Sequence, residues 1–288
     1  MTTPKSAIVN SIAKLRRREF LSANWRYLVM LNYEVPRALI EPLLPLGTEL
    51  DLLHGRTLVT VVGFRFLRTR VLHVPVPLHR DFDEVNLRFY VRRVMRDGEV
   101  RRGVAFILEM VPRVAIAWLA RLAYNEPYRA LPMQSTAPAG ITESPGRIAY
   151  RWMLPAPQTQ NQAQNPHNPS PDPASDSPHP QTWQEISATA VGSPELPAAD
   201  SEPAFIAEHY WGYTRQRDAA TVEYRVDHPP WRIWQAENPQ LTCDVAKTFG
   251  SEFAEPLAAA PTSAFITEGS HVIVHHPTRL VTAASLAG

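Results

Sequence analysis

The chain has 288 residues, 44% of them hydrophobic, enough for one large domain or two small ones. A formal net charge of +1 argues against bulk electrostatic capture of nucleic acid or an anionic membrane. Cys243 is the single cysteine, which excludes an internal disulfide and a cysteine-based zinc cluster.

Residues 1–19 read as a polar lead-in without the apolar core of a secretory signal. No run reaches the ~18 apolar residues of a membrane span, so a soluble, cytoplasmic protein is expected. Asn24–Tyr33 is rich in strand formers. Pro36 suits the first turn of a short helix to Leu44, stopped by Pro45 and Gly47. Two β-like runs follow, Glu49–Leu53 and Thr57–Phe66, joined through a turn at Gly55.

Phe82–Val91 is the most informative stretch. As a strand it places Glu84, Asn86, Arg88 and Tyr90 on one face and Val85, Leu87, Phe89 and Val91 on the other. A solvent-facing strand of an antiparallel sheet has this pattern, and so does the wall of a ligand cavity. Asp97-Gly98 marks a hairpin into the apolar run Gly103–Val111. Val114–Tyr124 is apolar round its circumference except for Arg121, as a buried helix would be.

Residues 155–182 are dominated by Pro, Asn, Gln and Ser and read as a disordered insertion in a single domain spanning 20–277. Pro194–Pro203 reads as a second loose stretch, and 278–288 as a tail. Ala204–Thr214 and Thr221–His228 are expected to pair as a hairpin, putting His209, Trp211 and Tyr213 on one face opposite Tyr224 and Val226. Ala264–Thr267 and His271–His275 are the last β-like pieces. Many strands, few helices and no βα alternation predict an α+β fold, a predominantly antiparallel barrel with peripheral helices.

Several phrases together carry a resemblance. They are Phe82–Val91, Gly103-Val104, Glu208–Tyr213, Glu223–Trp231 and Ser263–Ser270, spread over about Asn24 to Pro277. The chain resembles the YqjF-like bacterial family of unknown function, in the acetoacetate-decarboxylase-like superfamily. That resemblance implies a closed, strongly bent antiparallel barrel with a central cavity and outer helices. It does not imply the reaction. Acetoacetate decarboxylase uses a Schiff-base lysine in a Pro-Lys-Lys motif, whereas the similar stretch here reads Pro127-Tyr128-Arg129. A phenol forms no imine, a guanidinium stays protonated, and Lys5, Lys14 and Lys247 are the only lysines. Glu84 matches the acid that precedes a barrel strand in that family and helps shape its active site.

The expected ligand is therefore a small, anionic organic molecule such as a carboxylic or keto acid, with no nucleic acid or membrane partner and homo-oligomerisation left open. Glu84, Tyr128 and His209 are the candidate catalytic groups. Arg121, Arg88, Asn86, Tyr90 and Trp211 are the candidate ligand contacts, because arginine matches a carboxylate through two parallel hydrogen bonds. A non-catalytic carrier or sensor, or a module that recruits a partner through its proline-rich insertion, would also fit this sequence. No cofactor is expected. No metal is expected either: His271 and His275 share a strand face but stand ~13 Å apart at ~3.3 Å per residue.

Overall fold

The first apolar run extends into a long strand, β1 (Glu19–Glu34), followed by α1 (Arg37–Ile40) and a 3-10 turn over Glu41–Leu43. These coordinates come from a computed structural model, which describes residues 19–75, 77, 80–112, 127–155 and 182–280. β2 (Glu49–Leu50) is short, and a bridge between Leu53 and Arg56 leads into β3 (Leu58–Val71). After β4 (Val74–Pro75), β5 (Phe82–Val94) and β6 (Val100–Val111) form the expected hairpin around Asp97-Gly98. The rest of the chain gives β7 (Tyr128–Ala130), β8 (Met133–Ser135), β9 (Arg147–Met153), β10 (Trp183–Glu195) and α2 (Glu202–Ala207). Then come β11 (Trp211–Arg215), β12 (Thr221–Asp227), β13 (Ile233–Thr242), α3 (Val245–Phe249), β14 (Ser263–His275) and β15 (Thr278–Leu280).

Several expectations change. Ala204–Ala207 is helical, not the start of a strand. Ser201 caps α2 by accepting from the Ala204 amide, and Pro203 sits in the first turn, both helix-start signals. His209 consequently lies in the link between α2 and β11. The β11–β12 register pairs Trp211 with Arg225 and Gly212 with Tyr224, so Tyr224 does not share a face with Trp211 and Tyr213. Pro194 lies inside β10, and β14 is one continuous strand. The expected helix Val114–Tyr124, including Arg121, lies outside the described residues, as does nearly all of the 155–182 insertion.

Among the described residues, all fifteen strands belong to one sheet. Its path β12-β11-β6-β5-β3-β1-β14 returns to β12 through Val226–Val274 and Asp227–Ile273, so these strands form a ring. A branch leaves the ring at β14 and runs β13-β10-β9-β8. The sheet is mixed: β11 runs parallel to β6, and β7 likewise. Gly103 permits the first of these, since a Cβ there would stand 2.5 Å from the Trp211 carbonyl oxygen.

Strand alternation feeds two cores. Val85, Leu87, Phe89 and Val91 of β5, with Val59 and Val61 of β3 and Val29 and Leu31 of β1, pack outward against Tyr150, Trp152, Ile186 and Trp234 of the branch. The intervening residues point into the ring, where Leu28, Met30, Val62, Phe64, Phe66 and Tyr90 meet Phe205 and Ile206 of α2. Ring strands are thus buried on both faces. The polar row of β5 is an interior row.

Candidate functional site

The inner face encloses a cavity of about 110 Å³. Pockets for drug-sized ligands run ~300–1,000 Å³, so this one suits a small compound. Glu84, Asn86 and Arg88 line it from β5, joined by Glu109, Tyr128, His209, Trp211, His228 and His275. Asn86 Nδ2 donates to Glu84 Oε1 at 2.9 Å, and Tyr128 Oη donates to Glu109 Oε1 at 3.0 Å. Tyr90 stands behind the wall instead. Its hydroxyl is 2.5 Å from Thr60 Oγ1, which bonds Asn32, which bonds Ser263, which donates to Glu202. That chain is satisfied end to end and holds Tyr90 as a structural donor.

Arg88 is only 9% exposed, yet no carboxylate pairs with it among the described residues. Its Nη2 points at Met30 Sδ, 4.0 Å away, its guanidinium carbon lies 5.9 Å from the Tyr90 ring centroid, and its Nε–H has no acceptor. A buried cation without a counter-charge is expensive. Its field lowers the pKa of both His209 and His228, as a secondary effect beneath burial.

His209 is held from behind. Its side chain is 1% exposed, and its Nε2 lies 3.0 Å from Asp51 Oδ2, which also accepts from Arg102 Nε at 2.6 Å. The Asp51 amide donates to the Tyr90 carbonyl, which fixes this acid beside β5. Burial pushes the Asp51 carboxyl up, but the hydrogen bonds from His209 and Arg102 outweigh it and leave it below its usual pKa. Burial is the main reason His209 falls to about 4. At neutral pH the pair is therefore an ionised Asp51 accepting from a neutral imidazole. The proton sits on Nε2, and Nδ1, which has no partner, keeps its lone pair.

A second imidazole is oriented in the same way. His275 Nε2 lies 2.7 Å from Asp227 Oδ2, Arg225 also binds Asp227, and His275 Nδ1 is buried without a partner. The remaining walls are aromatic: Trp25 packs edge-on against Phe64 and Phe66, and His228 stacks on Trp231 at 4.1 Å. Trp211 lines the cavity with Arg101 over its ring at 4.3 Å.

The structure thus brings Glu84, Asn86, Arg88, Tyr128, His209 and Trp211 to one cavity, sets Tyr90 just behind it, and leaves Arg121 outside the described residues. Sequence reasoning missed Asp51, an acid embedded in the apolar run Leu50–Leu53, and the Asp227–His275 pair, whose partners are 48 residues apart. Lys247, the one described lysine, lies on the surface paired with Asp244. Burial pushes the Cys243 thiol up to about 12, away from nucleophile chemistry. Among the described residues there is no metal-type cluster, and no helix is long and apolar enough to cross a membrane.

This arrangement, a strand ring around a cavity with a sheet branch packed outside it, is the acetoacetate decarboxylase-like fold. The chain is similar to acetoacetate decarboxylase from Legionella pneumophila, with 10% identity, coverage of 92% of this chain and 88% of that one, and a TM-score of 0.56. It is also similar to the enduracididine biosynthesis enzyme MppR complexed with pyruvate, at 14% identity, coverage of 92% and 91%, and a TM-score of 0.54. An acetoacetate decarboxylase-like enzyme from Sphingomonas wittichii RW1 gives 14% identity, coverage of 92% and 94%, and a TM-score of 0.54. At such identities the likeness defines the fold alone. No curated protein matches the chain. The model of the DUF2071 family, described as an uncharacterised conserved protein (COG2071), matches residues 22–271, and the chain belongs to that family.

Proposed function

We propose that the ring is a closed barrel whose cavity binds a small carboxylic or keto acid, with Arg88 as the anchor. One observation carries this reading: a guanidinium buried in an aromatic cavity keeps an Nε–H without an acceptor. A planar carboxylate supplies both the missing charge and two acceptors for the guanidinium edge. Asn86 Oδ1, also buried without a partner, offers an acceptor for a hydroxyl on the same ligand. Schiff-base chemistry is not part of the proposal, because Tyr128 holds the place of the amine. The pyruvate seen with MppR makes 2-oxo acids the first probes.

A thermal-shift series with pyruvate, 2-oxobutanoate and their 2-hydroxy counterparts tests it. A ligand at ~100 times its Kd adds ~2.7 kcal/mol, or about 5–10 °C for a domain of this size. The shift is expected in wild type and absent in folded Arg88→Met. Equal shifts in both proteins, or none with any acid in wild type, would sink the anion site.

A further inference from the structure

Arg88 and His209 line one cavity, Asp51 stands behind His209, and His209 Nδ1 is buried without a partner. Buried histidines are commonly structural, with both ring nitrogens satisfied. His209 departs from that pattern. One nitrogen is fixed by an ionised acid that is itself held by Arg102, and the other has no partner. An acid behind an imidazole sets the tautomer and leaves the far nitrogen as a proton acceptor.

We infer that the cavity enolises a 2-oxo acid, His209 Nδ1 taking a proton from the carbon beside the carbonyl while Arg88 holds the carboxylate and carbonyl oxygens. This rests on the anion-binding reading above and adds a reaction to it. The C–H bond breaks, its proton joins Nδ1, and its electron pair forms the C=C bond of an enolate. The negative oxygen of that enolate lies against the Arg88 guanidinium, whose charge is in place before the oxygen becomes negative. Nδ1 exchanges that proton with solvent, and return of a solvent-derived proton from Nδ1 to carbon restores the substrate. No oxidant, reductant or second reactant is required, and in D2O the net change is hydrogen replaced by deuterium.

The groups around His209 make the base conditional on the ligand. Asp51 favours its protonation, whereas burial, Arg102 and Arg88 oppose it, and Tyr90 packs on its ring at 4.8 Å. A bound carboxylate neutralises the Arg88 contribution, so the imidazole becomes more basic when an anion occupies the site. Asp51 is a positioning residue in this scheme and touches no reacting atom.

The test is loss of the methyl proton signal of pyruvate in D2O followed by NMR, with binding measured separately by thermal shift. Wild type is expected to speed exchange over buffer. His209→Gln should lose about 100-fold or more of that acceleration while still binding pyruvate. Asp51→Asn should keep pyruvate affinity, lower the rate about 10-fold or more and move the midpoint of its pH profile. Nitrogen-15 shifts of wild-type His209 give a readout that needs no variant, and protonation at Nδ1 instead of Nε2 overturns the scheme. Binding without exchange refutes enolisation and leaves the anion site standing, whereas no binding removes both. Borohydride added with pyruvate should leave the protein mass unchanged. A reduced adduct would assign activation to an amine and overturn the role of His209.

Discussion

At the scale of single residues, Arg88 opposes stability and function most directly. Its charge is buried beside Met30 and Tyr90, and no carboxylate pairs with it among the described residues to repay desolvation. Arg88→Met places a side chain of similar length beside Met30 and removes that charge. The unliganded variant is therefore expected to be about 1–3 kcal/mol more stable than wild type in urea, although it no longer responds to small acids. A destabilised variant would mean that Arg88 supports the fold instead of serving a ligand. The residues of this site were legible because β5 alternates strictly, so Glu84, Asn86 and Arg88 had to share a face. Which way that face turned was not legible. Both faces of β5 are buried, and only the closing of the ring by β12 and β14 puts the polar row inside. Asp51 was hidden for the same kind of reason. Nothing local in Leu50–Leu53 reports a histidine 158 positions away.

At the scale of elements, the glycines of β6 and β11 hold the wall of the site together. Gly103 faces the Trp211 carbonyl across the parallel pairing, and the Tyr224 ring lies over Gly212 with its Cζ 2.1 Å from where a Cβ would stand. At Gly103 the obstacle is backbone, which cannot swing aside. Gly103→Ala is expected to cost about 1–3 kcal/mol, read as a lower urea midpoint with an unchanged slope. An unaltered midpoint would show that the parallel contact is dispensable. Elements with local signals were read well: the Asp97-Gly98 hairpin, the proline-bounded α1, and β1. α2 was mistaken for strand because Ala204–Tyr213 is apolar and aromatic, and those residues outweighed the Ser201 and Pro203 start signals. β13 escaped notice for another reason. It carries Pro239 and a positive φ at Asn238, where its register with β10 shifts, so its sequence lacks the regular alternation of a strand.

At the scale of the whole molecule, the buried imidazoles tie stability to pH. Burial holds His209 near 4, against 6.5 for the free side chain. Between those values the unfolded chain binds a proton that the folded protein refuses. Stability from His209 is therefore complete above about pH 6.5 and drains away as pH falls toward 4. At 1.36 kcal/mol per pKa unit this amounts to about 3 kcal/mol, a large share of the ~5–15 kcal/mol that keeps a domain folded. His228, also lowered by burial, adds loss in the same direction. Asp51 and Asp227, both held below their usual range by their partners, extend the loss at still lower pH. Asp83 is raised by burial and returns part of it in the carboxylate range. Urea midpoints measured from pH 7.5 to 4.5 should fall steadily in wild type. In His209→Gln, which refuses no proton, the fall should be shallower by about the His209 share. Parallel slopes for the two proteins would mean that His209 takes up its proton as readily in the folded protein as in the unfolded chain, so that burial does not hold it neutral through this range.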